Sequence, residues 1–131
     1  MGAFDMLAIA NTSLGMHQTW LDALANNTAN IDTARPMSQP AFQAQMVIAQ
    51  ARPDGSGVDV AGVALSDPNG RVVNDPSNPL ADANGNVRMP DIDMASQMSQ
   101  LIMAQRGFQA SASVTKNAQD TYQSALQIGS R

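Results

Sequence analysis

Cysteine and glutamate are both missing from this sequence. Without cysteine there is no disulfide, thiol nucleophile or thiolate metal site, and nothing that reports a redox compartment. Without glutamate, every carboxylate side chain is an aspartate. Charged residues make up only 14% of the chain, well under the typical share of about a quarter. Lys116 is the single lysine, and the six arginines are scattered. With a net charge of -4 and no basic patch, a nucleic-acid partner is disfavoured. A lipid-surface helix is disfavoured too, because no polar face is rich in Lys and Arg. No apolar run approaches the roughly 18 residues of a membrane span. The N-terminus has no basic stretch followed by an apolar core and a cleavage site. The chain is therefore expected to be soluble and to lack a cleaved secretory signal.

Aromatics are scarce, with Phe4, Trp20, Phe42, Phe108 and Tyr122 the whole set, while methionine occurs nine times. Small and flexible apolar side chains suit helix seams better than a dense globular core. Leu7, Leu14 and Leu21 recur at seven-residue spacing, continued in polar form by Thr28. Ala10, His17, Leu24 and Ile31 fall three residues after each of these. That is the a/d pattern of a coiled-coil helix. The Asn-rich stretch that follows weakens helix propensity and favours a chain reversal.

A second helix is expected from about Pro90 onward, capped by Asp91 or Asp93. Its proposed seam runs Met94, Met98, Leu101, Gln105, Phe108, Ala112, Thr115, Gln119, Tyr122, Leu126 and Gly129. All seven prolines lie between residues 34 and 90. Strand candidates there are Phe42–Ile48, Val58–Leu65, Arg71–Val73 and Asn86–Met89, with turn signals at Asn69-Gly70 and Asn84-Gly85. The expected fold is mainly α with a small β insert. A helical end (1–33) and a second one (91–131) pair as an antiparallel coiled coil, around a middle segment (34–90) of short strands and long loops.

One helix pair leaves half of each helix facing water. Large seam side chains contribute roughly 1.5–3 kcal/mol each on burial, against about 1–2 kcal/mol per residue for ordering the backbone. The pair alone is therefore expected to be marginal, and its outer apolar residues ask for neighbours. The seam positions expected to serve assembly are Leu7, Leu14, Leu21, Leu24, Met98, Leu101, Phe108, Tyr122 and Leu126.

The stretch Ala25-Asn26-Asn27-Thr28-Ala29-Asn30, with Thr33 after it, resembles the block that closes the N-terminal helix of flagellar rod and hook proteins. Asp75-Pro76-Ser77-Asn78-Pro79-Leu80-Ala81-Asp82, then Gly85 and Val87, is similar to the central motif of one rod member. Asn78 and Leu80 stand where that motif has His and Asp, and Gln97 where an acidic residue often precedes Met98. Ala104–Ala110 and Met89–Asp93 are similar to the blocks of its C-terminal helix. The resemblance implies a structural subunit of the proximal rod, with terminal helices in an inner tube and a small outer domain. It also implies type III export without processing, a periplasmic location in the basal body, and as partners further copies, other rod proteins and the ring and export gate.

No residue constellation points to catalysis, and no cofactor or metal is expected. His17, at a d position, reads as a polar seam residue. Asp82, Asn84, Asn86 and Asp93 loosely resemble a calcium loop, but Val87 stands where such a loop needs Gly and no Glu closes it. A turn is the better reading. Asp75 and Asp82 have no accompanying nucleophile or second base. The sequons at Asn11 and Asn26 lie on expected helix and read as chance. Rival readings are another rod or hook-type axial protein, or a soluble helical adaptor holding one partner in a Met-rich groove.

Overall fold

A computed structural model describes residues 2–129. Its element order is α1 (Ala3–Ala29), β1 (Gln45–Ala51), β2 (Val58–Leu65), β3 (Arg71–Asn74), β4 (Asn86–Met89) and α2 (Met94–Gly129). Two helices thus enclose a small strand insert made of two separate two-stranded sheets, β1 with β2 and β3 with β4.

Each helix starts and stops for a local reason. At the start of α1 the Gly2 N–H donates to Asp5 Oδ2 at 2.8 Å, which also places a negative charge near the positive end of the helix dipole. The Asn cluster ends it: Asn30 N–H reaches the carbonyls of Asn26 and Asn27, and Asn30 Nδ2 donates to Asn26 O at 2.9 Å. Side-chain bonds of this kind compete with the next helical turn. For α2 the cap is Asp93, whose Oδ2 accepts from Ser96 N at 3.0 Å.

The β1–β2 hairpin lies along α1. Gln45 meets Asn27, and Val58 N donates to Thr12 Oγ1 at 3.1 Å. Those contacts span fifteen helical residues, about 22 Å at 1.5 Å per residue, which is the reach of a seven-residue strand. The hairpin turns at 52–57, where Gly55 and Gly57 have φ of 73° and 133°. A Cβ on Gly57 would overlap Thr12 Oγ1, so only glycine lets the hairpin tip rest on the helix. A register shift at Ile48/Ala49 bends the ribbon. β1 begins three residues later than expected. Ala44 N is held by Ser66 Oγ at 2.8 Å and not by a ladder partner.

The core is thin and made of small side chains. Its buried hydrophobic residues are Ala10, Ala23, Leu24, Ala41, Ala44, Val87, Ala104 and Ala118. Six of these eight are alanines, so close approach of backbones, and not bulk, fills the interior.

Candidate functional site

The seam between α1 and α2 is the feature with the most specific chemistry. Its contacts run in opposite order along the two helices. Phe4 stacks edge-on against Tyr122 with ring centroids 4.9 Å apart. Ser13 Oγ bonds Ser111 Oγ at 2.8 Å. His17 packs against Gly107, whose missing Cβ is what makes room for the ring. The carbonyl of Ser13 can only accept, so the 2.8 Å contact from His17 Nδ1 puts the proton on that nitrogen. Below it, Asn27 donates from Nδ2 to Gln97 Oε1 at 3.1 Å.

Asn27 is the joint of the molecule. It is 1% exposed. Besides Gln97, its Nδ2 donates to Gln45 O at 2.9 Å and its Oδ1 accepts from Gln45 N at 2.8 Å. One amide thereby ties α1, β1 and α2. Its neighbours in the Asn-rich block act locally: Asn26 accepts from Asn30, and Thr33 Oγ1 donates to Asn30 Oδ1 at 3.2 Å.

The expected seam residues fall into two groups. Leu24 is buried, and Leu7, Leu14, Leu21, Leu101, Phe108 and Tyr122 are half-buried. Met98 and Leu126 are exposed at 42% and 55%. Along α2 the series Leu101, Phe108, Thr115 and Tyr122 is less exposed than its surroundings. The companion positions are Gln97, Ala104, Ser111 and Ala118, one residue before Met98, Gln105, Ala112 and Gln119. Small residues are selected there because the helices approach closely.

What this leaves outside is considerable. Met94, Met98 and Ile102, at four-residue steps, flank the seam on one side of α2. Met103, Ala110, Val114 and Ile128 flank it on the other. Ser99, Arg106, Ser113 and Asp120, every seventh residue, form an exposed polar ridge between them. A groove lined by Met6, Ile9, Ala10, Ser13, Ala110, Ser111 and Val114 runs beside the seam. Because Phe4 meets Tyr122, residues 123–129 run beyond the start of α1.

The Asp75–Gly85 loop is organised by its own side chains. Asp75 N donates to Gly85 O at 2.7 Å, and the Asp82 carboxylate accepts from Asn84 N and Asn86 N, each at 2.9 Å. Gly85, at φ 77°, sits where a Cβ would lie 2.8 Å from Pro76 Cγ. Asn78 Oδ1 accepts from Leu80 N at 3.0 Å, and Pro79 lies between these two residues, exposed. Asp82 is thus engaged in a turn, and among the described residues no group of three or more His, Cys, Asp or Glu could hold a metal. The hydrogen bond from Ser77 Oγ, helped by Asn78 and the Ser77 backbone, lowers the Asp75 pKa below its ordinary value. A lowered carboxylate contributes stability above its ordinary range and loses it as pH falls through the folded pKa. Ser77→Ala is expected to move the Asp75 titration back up, as followed by carboxyl NMR chemical shifts. An unmoved titration would show that the serine is not the cause.

The helix pair with a small strand insert has a counterpart among known proteins. Residues 83–128 match the profile of the C-terminal part of flagellar basal body rod FlgEFG proteins, which points to the class of flagellar axial proteins. The basal-body rod protein FlgC of Salmonella typhimurium is 34% identical over 134 aligned positions, covering 98% of this chain and 99% of the relative. FlgC of Borreliella burgdorferi is 27% identical over 149 positions, covering 98% of each chain. FlgC of Bacillus subtilis is 26% identical over 149, covering 98% and 99%. This chain belongs to the FlgC family of flagellar basal-body rod proteins. Its place is the flagellar basal body, as a structural rod subunit.

Proposed function

We propose that this subunit assembles through its helical ends, which close on each other as an antiparallel coiled coil and then pack against neighbours, in a proximal rod that transmits torque. Segments 1–33 and 91–131 form the assembling unit, and 34–90 the outer one. The observation that carries this reading is the pair of apolar flanks on α2, left open on both sides of a seam built from small residues. A monomer has no use for Met94, Met98, Ile102, Met103 and Ile128 in water, and two flanks fit two lateral neighbours. Those neighbours are further copies and other rod proteins, with the ring and export gate at the base. Catalysis is no part of the role. Export without a cleaved signal into a periplasmic rod belongs to the same reading.

The test is a strain lacking the chain, complemented with flank variants. Met98→Asp with Ile102→Asp is expected to leave the circular dichroism of the purified chain unchanged while removing it from isolated basal bodies. Normal incorporation would overturn the reading. The lateral groove beside Met6 and Val114 gives the adaptor reading its one foothold. Capture of a single soluble partner by a chain absent from basal bodies would favour it.

A further inference from the structure

Arg35 and Arg88 face each other across an isolated antiparallel bridge, each N–H donating to the other's carbonyl at 2.8 Å. Directly opposed residues send their side chains to the same face, with Cβ atoms about 5 Å apart. Two like charges so placed repel, and no carboxylate among the described residues pairs with either. Among the described residues the one ion pair is Arg52 with Asp59, elsewhere on the β1–β2 hairpin.

The guanidinium of Arg88 is served only by uncharged oxygens. Its Nη1 donates to Asn69 O at 2.8 Å and to Asn69 Oδ1 at 3.3 Å, and its Nη2 to Met37 O at 3.3 Å. Its Nε is buried with no partner. A buried donor without an acceptor is rare in folded proteins and needs a cause. Arg88 is therefore a cation partly withdrawn from water with no counter-charge. Arg35 rests at 3.5 Å on Gln39 Oε1. Gln39, Asn69 and Arg88 line the same polar recess.

We infer that Arg35 and Arg88 form a docking site for a carboxylate, and that this carboxylate is an aspartate of a second copy of the chain. Arg35, with one long bond, keeps most of its donor fork free, and such a fork suits a planar, bidentate acceptor. The chain has an excess of such groups, with a net charge of -4. Asp32, Asp91 and Asp120 are exposed, and their carboxylates have no partner among the described residues. A contact between a recess on one copy and an acid on the next joins two different patches, which is what a head-to-tail repeat along a rod requires. The inference rests on the assembly reading but concerns the β-rich segment, and not the helix flanks.

The experiment uses the full chain in a strain lacking its own. Arg35 is the residue to change, because its side chain is exposed and makes one long bond. Arg35→Glu is expected to keep the wild-type circular dichroism and to lower the amount of chain in isolated basal bodies roughly tenfold or more, since opposed like charges at an interface are strongly unfavourable. Arg35→Lys keeps most of the incorporation. Asp32→Arg, Asp91→Arg and Asp120→Arg are then each combined with Arg35→Glu, and one of them is expected to restore incorporation. Arg35→Glu at wild-type levels overturns the site, a loss that none of the three reversals repairs overturns the second copy as its occupant, and a changed dichroism makes Arg35 a folding residue and overturns both. Absence of the wild-type chain from basal bodies would instead count against the assembly reading itself.

Discussion

Gly107→Ala is expected to destabilise the folded chain by roughly 1–2 kcal/mol, although alanine is the better helix former by about 1 kcal/mol. The new methyl would overlap His17 Nε2. The ring cannot simply swing away, because Nδ1 is held by the Ser13 carbonyl at 2.8 Å. Either that bond breaks or the helices move apart, and the neighbouring Ser13–Ser111 contact at 2.8 Å stretches with them. Gly15 supplies the control. It too lies inside a helix, but nothing stands within 4 Å of its missing Cβ. Gly15→Ala should therefore raise stability by about 0.5–1 kcal/mol. Thermal unfolding followed by circular dichroism reads both. Pairing Gly107→Ala with His17→Ala should recover most of the loss, since the obstacle is gone. Shifts of the same sign at both glycines would refute the close-approach argument.

The second large effect is expected at Asn27. Asn27→Ala leaves the N–H and C=O of Gln45 without partners in a half-buried place and frees Gln97 Oε1. An unsatisfied buried group costs about 1–3 kcal/mol, so a loss of roughly 2–4 kcal/mol is expected. Asn27→Asp keeps one acceptor and removes both donations, pointing a carboxylate at two oxygens, and is expected to be at least as harmful. Asn26→Ala, one residue away in the same block, should stay within about 0.5 kcal/mol because Asn26 is exposed. Denaturant midpoints of the three variants decide it. Equal midpoints for the two alanine variants would mean that Asn27 does not couple the segments.

The heptad leucines of α1 made that helix legible from the sequence, because they lie where a seven-residue repeat puts one face. The helix at the other end was legible in its existence and its cap. Of its large apolar positions, Leu101, Phe108 and Tyr122 are half-buried, and the more buried companions stand one residue before Met98, Gln105, Ala112 and Gln119. Met98 and Leu126 attract attention as large apolar groups, yet the positions turned toward α1 are Gln97, Ala104, Ser111 and Ala118. Periodicity weighs side chains by hydrophobicity, whereas a close seam selects them by size. The turn of the long hairpin was missed, though Asp54-Gly55 is the kind of dipeptide that signals one. The role of Asn27 could not be read from its motif, since Asn26, Asn27 and Asn30 look alike until the helix phase shows which one faces inward. The Arg35–Arg88 juxtaposition was equally hidden, because pairing across 53 residues leaves no local trace.

The opposite order of contacts along the two helices also bears on when the fold completes. The hairpin joins residues close in sequence, as in Arg52 with Asp59, seven apart. The seam joins Ser13 to Ser111, separated by 98. Closing so large a loop is entropically slower than folding a hairpin. The helices therefore cannot zip together until nearly the whole polypeptide is present, and the hairpin can form against α1 well before that. The seam is therefore the last surface of the subunit to close, and the one least settled while the chain is still incomplete.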